Sequence, residues 1–226
     1  MAAGEGTRLR PITDDWPKPI LPVDGKPVIA LLLRELRAAG CERATIVTGH
    51  LAEQVEALVG DGSGFGMAIT YVRQPRADGS ADAVQRALHG GAEPPVIIAA
   101  ADTVFAPGSI GLFRSAWGGG PGAVAARPGQ PTSGGKPGIR ADEQGHVVRV
   151  VDDDPNCELT SAPLWGLGEQ VLPFFDALPG PPFELSAAYQ RAVDAGVEVR
   201  LVVIPGTRDL THAEDLVREN FPYLTR

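Results

Sequence analysis

Residues 27–40, PVIALLLRELRAAG, followed by residues 44–49, ATIVTG, decide the fold class. The first run carries its apolar residues at helical spacing, with Pro27 near the start, where a missing N–H leaves nothing unsatisfied, and Gly40 in the place of a C-cap. The second is short, apolar and β-branched, with no polar alternation, as expected of a strand buried on both faces. Together they make one helix–strand unit, and the unit repeats. AEQVEALVG (52–60) reads as a helix and AITYVRQ (68–74) as a strand. SADAVQRALHG (80–90) reads as a helix capped by Ser80, and VIIAAAD (96–102) as a buried strand.

Beyond Asp102 the pattern loosens. GAVAAR (122–127) reads as a strand, PGQPTSGGKPG (128–138) as a loop, and GIRAD and HVVRVVD as paired strands joined by the turn EQG. This predicts a small antiparallel insertion. Helices return at GEQVLPFFDAL (168–178) and FELSAAYQRAVDAG (183–196), then a strand at EVRLVVI (198–204). A last helix is expected with Thr211 as N-cap and Glu214 completing a capping box. Alternating units of this kind imply an α/β protein with a Rossmann-like, mixed and mostly parallel sheet flanked by helices. Nothing divides residues 1–226, so a single domain is expected.

Twenty basic against 28 acidic side chains give a net charge of -8, which argues against a nucleic-acid surface but leaves room for a local phosphate pocket. The two cysteines, Cys41 and Cys157, have no disulfide or metal-site spacing, which fits a reducing, cytoplasmic setting. The longest apolar run, VIALLL (28–33), is too short to span a bilayer, and no membrane partner is expected. His50, His89, His146 and His212 are scattered and read as structural or surface residues. A homo-oligomer is left open.

Residues 2–11, AAGEGTRLRP, pair two glycines around one residue, so the backbone can turn tightly and present bare N–H groups to an anion. Arg8 adds a rigid, permanently charged fork, and Lys18, in the proline-stiffened WPKPILPV (16–23), adds a point charge. This is a candidate phosphate clamp. A nicotinamide-dependent dehydrogenase would instead need GxGxxG opening a helix, and Pro11 follows too soon.

AAGEGTRLRP followed by PKPILPVDGKP (17–27) resembles the signature of the sugar-1-phosphate nucleotidylyltransferases, the nucleoside-diphosphate-sugar pyrophosphorylases related to glucose-1-phosphate thymidylyltransferase. Residues 60–87, VIIAAAD and GTRDLTHAEDLVREN (206–220) resemble later motifs of that family in the same order. The resemblance implies that Ala3, Gly4, Gly6 and Thr7 cradle a nucleotide, with Arg8 and Lys18 on the phosphates. It places Gln74, Gly79 and Ser80 at the base, Asp102 and Asp209 on Mg²⁺, and Gly138, Trp165 and Glu184 at the acceptor. The implied partners are a nucleoside triphosphate, with dTTP or UTP favoured, and a phosphorylated small molecule. Attack by a sugar phosphate on the α-phosphorus would release pyrophosphate, a reaction that needs positioning and charge neutralisation and no nucleophilic side chain.

Two departures stand out. The family has a central strand leading into the glycine loop, and only Met1 and Ala2 precede it here, so a strand is expected to be missing before residue 1. In VVDDDPNC (150–157), Asp154 occupies the place of a phosphate-binding lysine, which Lys136, Arg140 or Arg149 would have to replace. The acidic run also keeps open a cytidylyltransferase acting on a phosphocholine-like or phosphonate acceptor, and a non-catalytic nucleotide- or sugar-binding regulator remains the third reading.

Overall fold

A computed structural model describes residues 1–132 and 136–221. Part of the expected 128–138 loop, residues 133–135, lies outside the described residues. Leading segments are the short helix α1 (Ile12–Asp15), the two-residue strands β1 (Pro22–Val23) and β2 (Lys26–Pro27), and α2 (Val28–Ala38), with Pro27 at its N-cap. β3 (Arg43–Thr48), α3 (Ala52–Val59), β4 (Ala68–Arg73), α4 (Ser80–His89) and β5 (Val96–Ala99) follow in the alternation that the sequence implies. Then come β6 (Thr103–Phe105), α5 (Ser109–Trp117), β7 (Gly122–Pro128), β8 (Gly138–Ala141), β9 (Val147–Asp152) and β10 (Leu159–Leu167). The chain ends its regular structure with α6 (Leu185–Asp194), β11 (Val199–Val203), β12 (Thr207–Asp209) and α7 (Ala213–Asn220).

β3 and β4 pair in parallel, as do β11 and β7. β10 is the hub of the larger sheet, antiparallel to β5, β7 and β8, and β8 pairs antiparallel with β9 as the expected insertion. The architecture is the expected α/β class with a mixed sheet. One core cluster packs α2 and α5 against β3, β5 and β7; a second packs α4 and α6 against β7, β9 and β10.

Several local readings need correction. Gly79, not Ser80, occupies the N-cap of α4, and the Ser80 hydroxyl instead bonds Glu184 and accepts the Leu185 N–H. His212, not Thr211, is the N-cap of α7, and the carboxylate that accepts the Thr211 and His212 N–H groups belongs to Asp215 rather than Glu214. The expected helix at 168–178 is a 3-10 segment, Glu169–Phe175, because Pro173 lies inside it and cannot donate to an α-helical ladder.

Between β3 and β5 lies a cavity of about 1330 Å³, lined by those two strand edges and by apolar side chains of α2 and α4, among them Leu32, Leu33 and Val84. Its far end is closed by residues 1–3. The Met1 amine donates to Ala99 O and the Ala101 N–H to Met1 O, while Ala2 bridges Thr48 in parallel and donates to Val47 O. Residues 1 and 2 thus pair with the chain on both sides, in line with the slot. Burial pushes the Met1 amine down to about 6.

Candidate active site

A second cavity, of about 370 Å³, opens where the carboxyl ends of β4 and β5 meet the glycine loop. This is where open α/β sheets hold ligands, because the strand-to-helix turns diverge there. One wall is the loop itself. Gly6 sits at φ 65°, and a Cβ there would lie 2.9 Å from the Thr13 side chain, whose hydroxyl donates to Gly6 O. Only glycine fits that turn. The N–H groups of Gly4, Glu5, Gly6, Thr7 and Arg8 find no acceptor among the described residues. They are free to meet an anion.

Arg8 is exposed on the same wall, with no ion pair or hydrogen bond to any described residue. Its neighbour Arg10, by contrast, is held by Glu5 and Asp14. Lys18 Nζ lies 2.7 Å from Asp102 Oδ2 in the same cavity, a half-buried pair that fixes both groups. Asp102 immediately precedes β6, and β6 pairs with β12 so that Thr103 faces Asp209. That register sets Asp209 opposite the residue that follows Asp102, although only Asp102 lines the cavity. Two carboxylates form an oxygen-only donor set, which suits a magnesium ion that keeps several waters and takes further oxygens from phosphates. Among the described residues no group of three or more metal-ligating side chains converges.

The opposite wall carries Gln74, Gly79, Ser80 and Glu184. Gly79 has φ 110°, and a Cβ would come within 2.3 Å of Phe183 O, so residues 78–81 can close against Phe183 only with glycine there. Gln74 is buried at the end of β4, where its amide nitrogen donates to Gly79 O at 3.0 Å and to Asp82 Oδ2 at 2.7 Å.

The cavity therefore gathers Ala3, Gly4, Gly6, Thr7, Arg8, Lys18, Gln74, Gly79, Ser80, Asp102 and Glu184. It does not gather the other two acceptor candidates. Trp165 is buried in the second core cluster with its ring 4.8 Å from that of Tyr189, and Gly138 packs on β8 against Cys157 and Asp152 O. An aromatic side chain at a strand position was more useful to the core than to the cleft.

Sequence reasoning missed Arg127. It stands on the buried strand β7, its side chain 6% exposed, and donates to Asp209 Oδ2 at 3.0 Å, while Lys136 Nζ lies 2.8 Å from the same oxygen. The Arg127 Nε has no partner among the described residues. The available signal was an arginine ending the apolar run GAVAAR, where a charge needs a counter-ion. Burial alone would raise the Asp209 carboxyl, but Arg127 and Lys136 hold it below the usual carboxylate range. Of the three cations considered for the acceptor phosphate, Lys136 thus approaches the Asp102–Asp209 region. Arg140 is instead occupied by Asp152 and Asp154, at 3.0 and 3.2 Å.

The description Nucleotidyl transferase belongs to a family model that matches residues 1–115, just over half of the chain. The chain belongs to the nucleotidyl transferase family. It is 32% identical to a glucose-1-phosphate thymidylyltransferase of Streptomyces griseus, over 97% of its own length and 64% of that protein's. It is 38% identical to a CMP-5'-(3-aminopropyl)phosphonate synthase of Streptomyces rubellomurinus, over 68% of this chain and 24% of that one. Among solved structures, a UDP-glucose pyrophosphorylase complexed with UDP-glucose superposes with a TM-score of 0.82 at 21% identity, over 99% of this chain and 96% of that one. That likeness fixes the fold of this family member. The chain spans 64% of the length of the curated relatives that it matches over 97% of its own residues. No helix among the described residues is long and apolar enough to cross a membrane.

Proposed function

We propose that this family member is a nucleotidylyltransferase that joins a nucleoside triphosphate, UTP or dTTP, to a sugar 1-phosphate and releases pyrophosphate. The observation that carries this reading is a single cavity combining free backbone N–H groups, an unpaired Arg8 and the Lys18–Asp102 pair, with a buried amide on the opposite wall. The glycine loop and Arg8 bind the triphosphate, where each donor strengthens as charge builds on the α-phosphate and the departing pyrophosphate. Lys18 holds the attacking and receiving phosphates together, and its pairing with Asp102 fixes its reach. Asp102 and Asp209 would hold Mg²⁺, which when bound neutralises phosphate charge. Glu184, oriented by Ser80, faces the acceptor.

A second reading rests on the phosphonate relative and on the acidic run. Asp153 is exposed and paired with no described residue, so it offers a carboxylate to a cationic acceptor, with CTP as the nucleotide donor. A non-catalytic regulator of the same fold has less support, since Arg8, Lys18 and Asp102 all line the cavity. The domain of this reading is residues 1–226, with the β3–β5 slot as the place of the strand that the family resemblance implies. The test is pyrophosphate release from each triphosphate with sugar 1-phosphates, phosphocholine and an aminoalkyl phosphonate in turn. Turnover with UTP or dTTP and a sugar phosphate is expected; turnover confined to CTP with a cationic acceptor would replace it by the second reading.

A further inference from the structure

We infer that Asp82, outside the cavity, sets which base the site accepts by fixing the orientation of the Gln74 amide. The inference rests on the nucleotide-binding reading above and adds a positioning residue to it. A glutamine amide is ambivalent: one end donates, the other accepts, and rotation by half a turn exchanges them. Here the exchange is blocked. One terminal atom of Gln74 sits 3.0 Å from Gly79 O and 2.7 Å from Asp82 Oδ2. Both neighbours can only accept, so that atom must be the NH₂ group, and both of its hydrogens are used. Asp82 is itself anchored by Arg86 Nε at 2.7 Å, one helical turn along α4. Burial would raise the Asp82 carboxyl, but the bonds from Arg86 and Gln74 hold it below its ordinary value.

What remains for a ligand is Gln74 Oε1. Gln74 is 5% exposed, yet this oxygen has no partner among the described residues and is not among the buried atoms sealed from solvent, so it opens on the cavity. Five residues away on the same wall, the Gly79 N–H has no acceptor among the described residues. The wall thus presents an acceptor and a donor. Uracil and thymine answer this pair with N3–H and a flanking carbonyl. Cytosine carries acceptors at N3 and O2, and answers it only by moving its exocyclic amine into the place of N3–H. With the amide free to turn, the site would greet either edge. Asp82, beside Gly79 O, therefore holds Gln74 as a one-sided reader.

Calorimetric titration of dTTP and CTP, with melting temperature measured alongside, tests this without requiring turnover. Wild type is expected to favour dTTP. Asp82→Asn removes the charged acceptor and leaves Gly79 O as the one fixed acceptor on the amide nitrogen; it is expected to lower the dTTP-to-CTP affinity ratio by about fivefold to tenfold, the worth of one oriented hydrogen bond. Gln74→Glu alone sets two carboxylates together and is expected to weaken both nucleotides. Asp82→Ala, which removes the side-chain acceptor altogether, is expected to lower the ratio in the same direction as Asp82→Asn. A ratio unchanged in folded Asp82→Asn and Asp82→Ala proteins overturns the role of Asp82. Failure of the wild type to bind any triphosphate would instead overturn the nucleotide-binding reading itself.

Discussion

Arg8 and Arg10 lie two residues apart on one loop, and their surroundings assign them opposite work. Arg10 is neutralised by Glu5 and Asp14 and shapes the loop; Arg8 is exposed toward the cavity with no partner among the described residues. Truncation of a preorganised cation at a transferring phosphate costs about 100-fold or more in rate. Arg8→Ala is therefore expected to lose at least ~100-fold in kcat while its melting temperature stays within a degree or two of wild type, as for a surface substitution. Arg127 is the converse case. Arg127→Met leaves Asp209 with Lys136 as its one cation beside the Thr207 hydroxyl, and the part-buried carboxylate is expected to destabilise the fold by roughly 1 to 3 kcal/mol, measurable by urea unfolding. Asp209 and Asp82 are both held below their ordinary value of 3.8. The unfolded chain thus binds more protons there, so the stability these groups contribute is fully present above about pH 4 and falls as pH drops through their folded values. Arg127→Met is expected to move the onset of acid unfolding upward; an unchanged onset would show that Lys136 alone holds Asp209 ionised.

Elements were legible in the sequence where one chain segment decides its own conformation. Residues 28–38 and 43–48 fold as a helix and a strand because their apolar periods leave no other way to bury them. The glycine loop was legible for the same reason, since Gly6 supplies a positive φ that few other residues adopt. What stayed hidden depends on partners distant in sequence. Ser80 gives up the cap of α4 because Glu184 and the Leu185 N–H, more than a hundred residues later, take its hydroxyl. Trp165 lies in the core because Tyr189 is there to meet it. The β6–β12 pairing, which brings Asp209 beside Thr103, joins two three-residue strands too short to carry a period. The counter-ion that the charge of Arg127 requires, Asp209, stands on that pairing.

Across the whole molecule the two cavities divide the chemistry from the framework. The smaller one gathers the glycine loop, Arg8, Lys18 and Asp102, whereas the larger is a slot between β3 and β5, lined at one end by Met1. An N-terminal extension of about five apolar residues in extended conformation is expected to pair with both edges. Burying two or three such side chains contributes about 3 kcal/mol or more, a rise of roughly 6 to 12 °C in melting temperature. An extension that leaves the melting temperature unchanged, while a shuffled polar control does the same, would show that the slot accepts no strand. The loop that follows the slot is the start of the proposed site, so the same extension is expected to tighten nucleotide binding. The central claim is nucleotidyl transfer in the smaller cavity, and it is met most directly by pyrophosphate release with Mg²⁺, UTP or dTTP and a sugar 1-phosphate. The account predicts release that needs both substrates and falls at least ~100-fold in Arg8→Ala; release undiminished in that variant, or none with any triphosphate and acceptor, would contradict it.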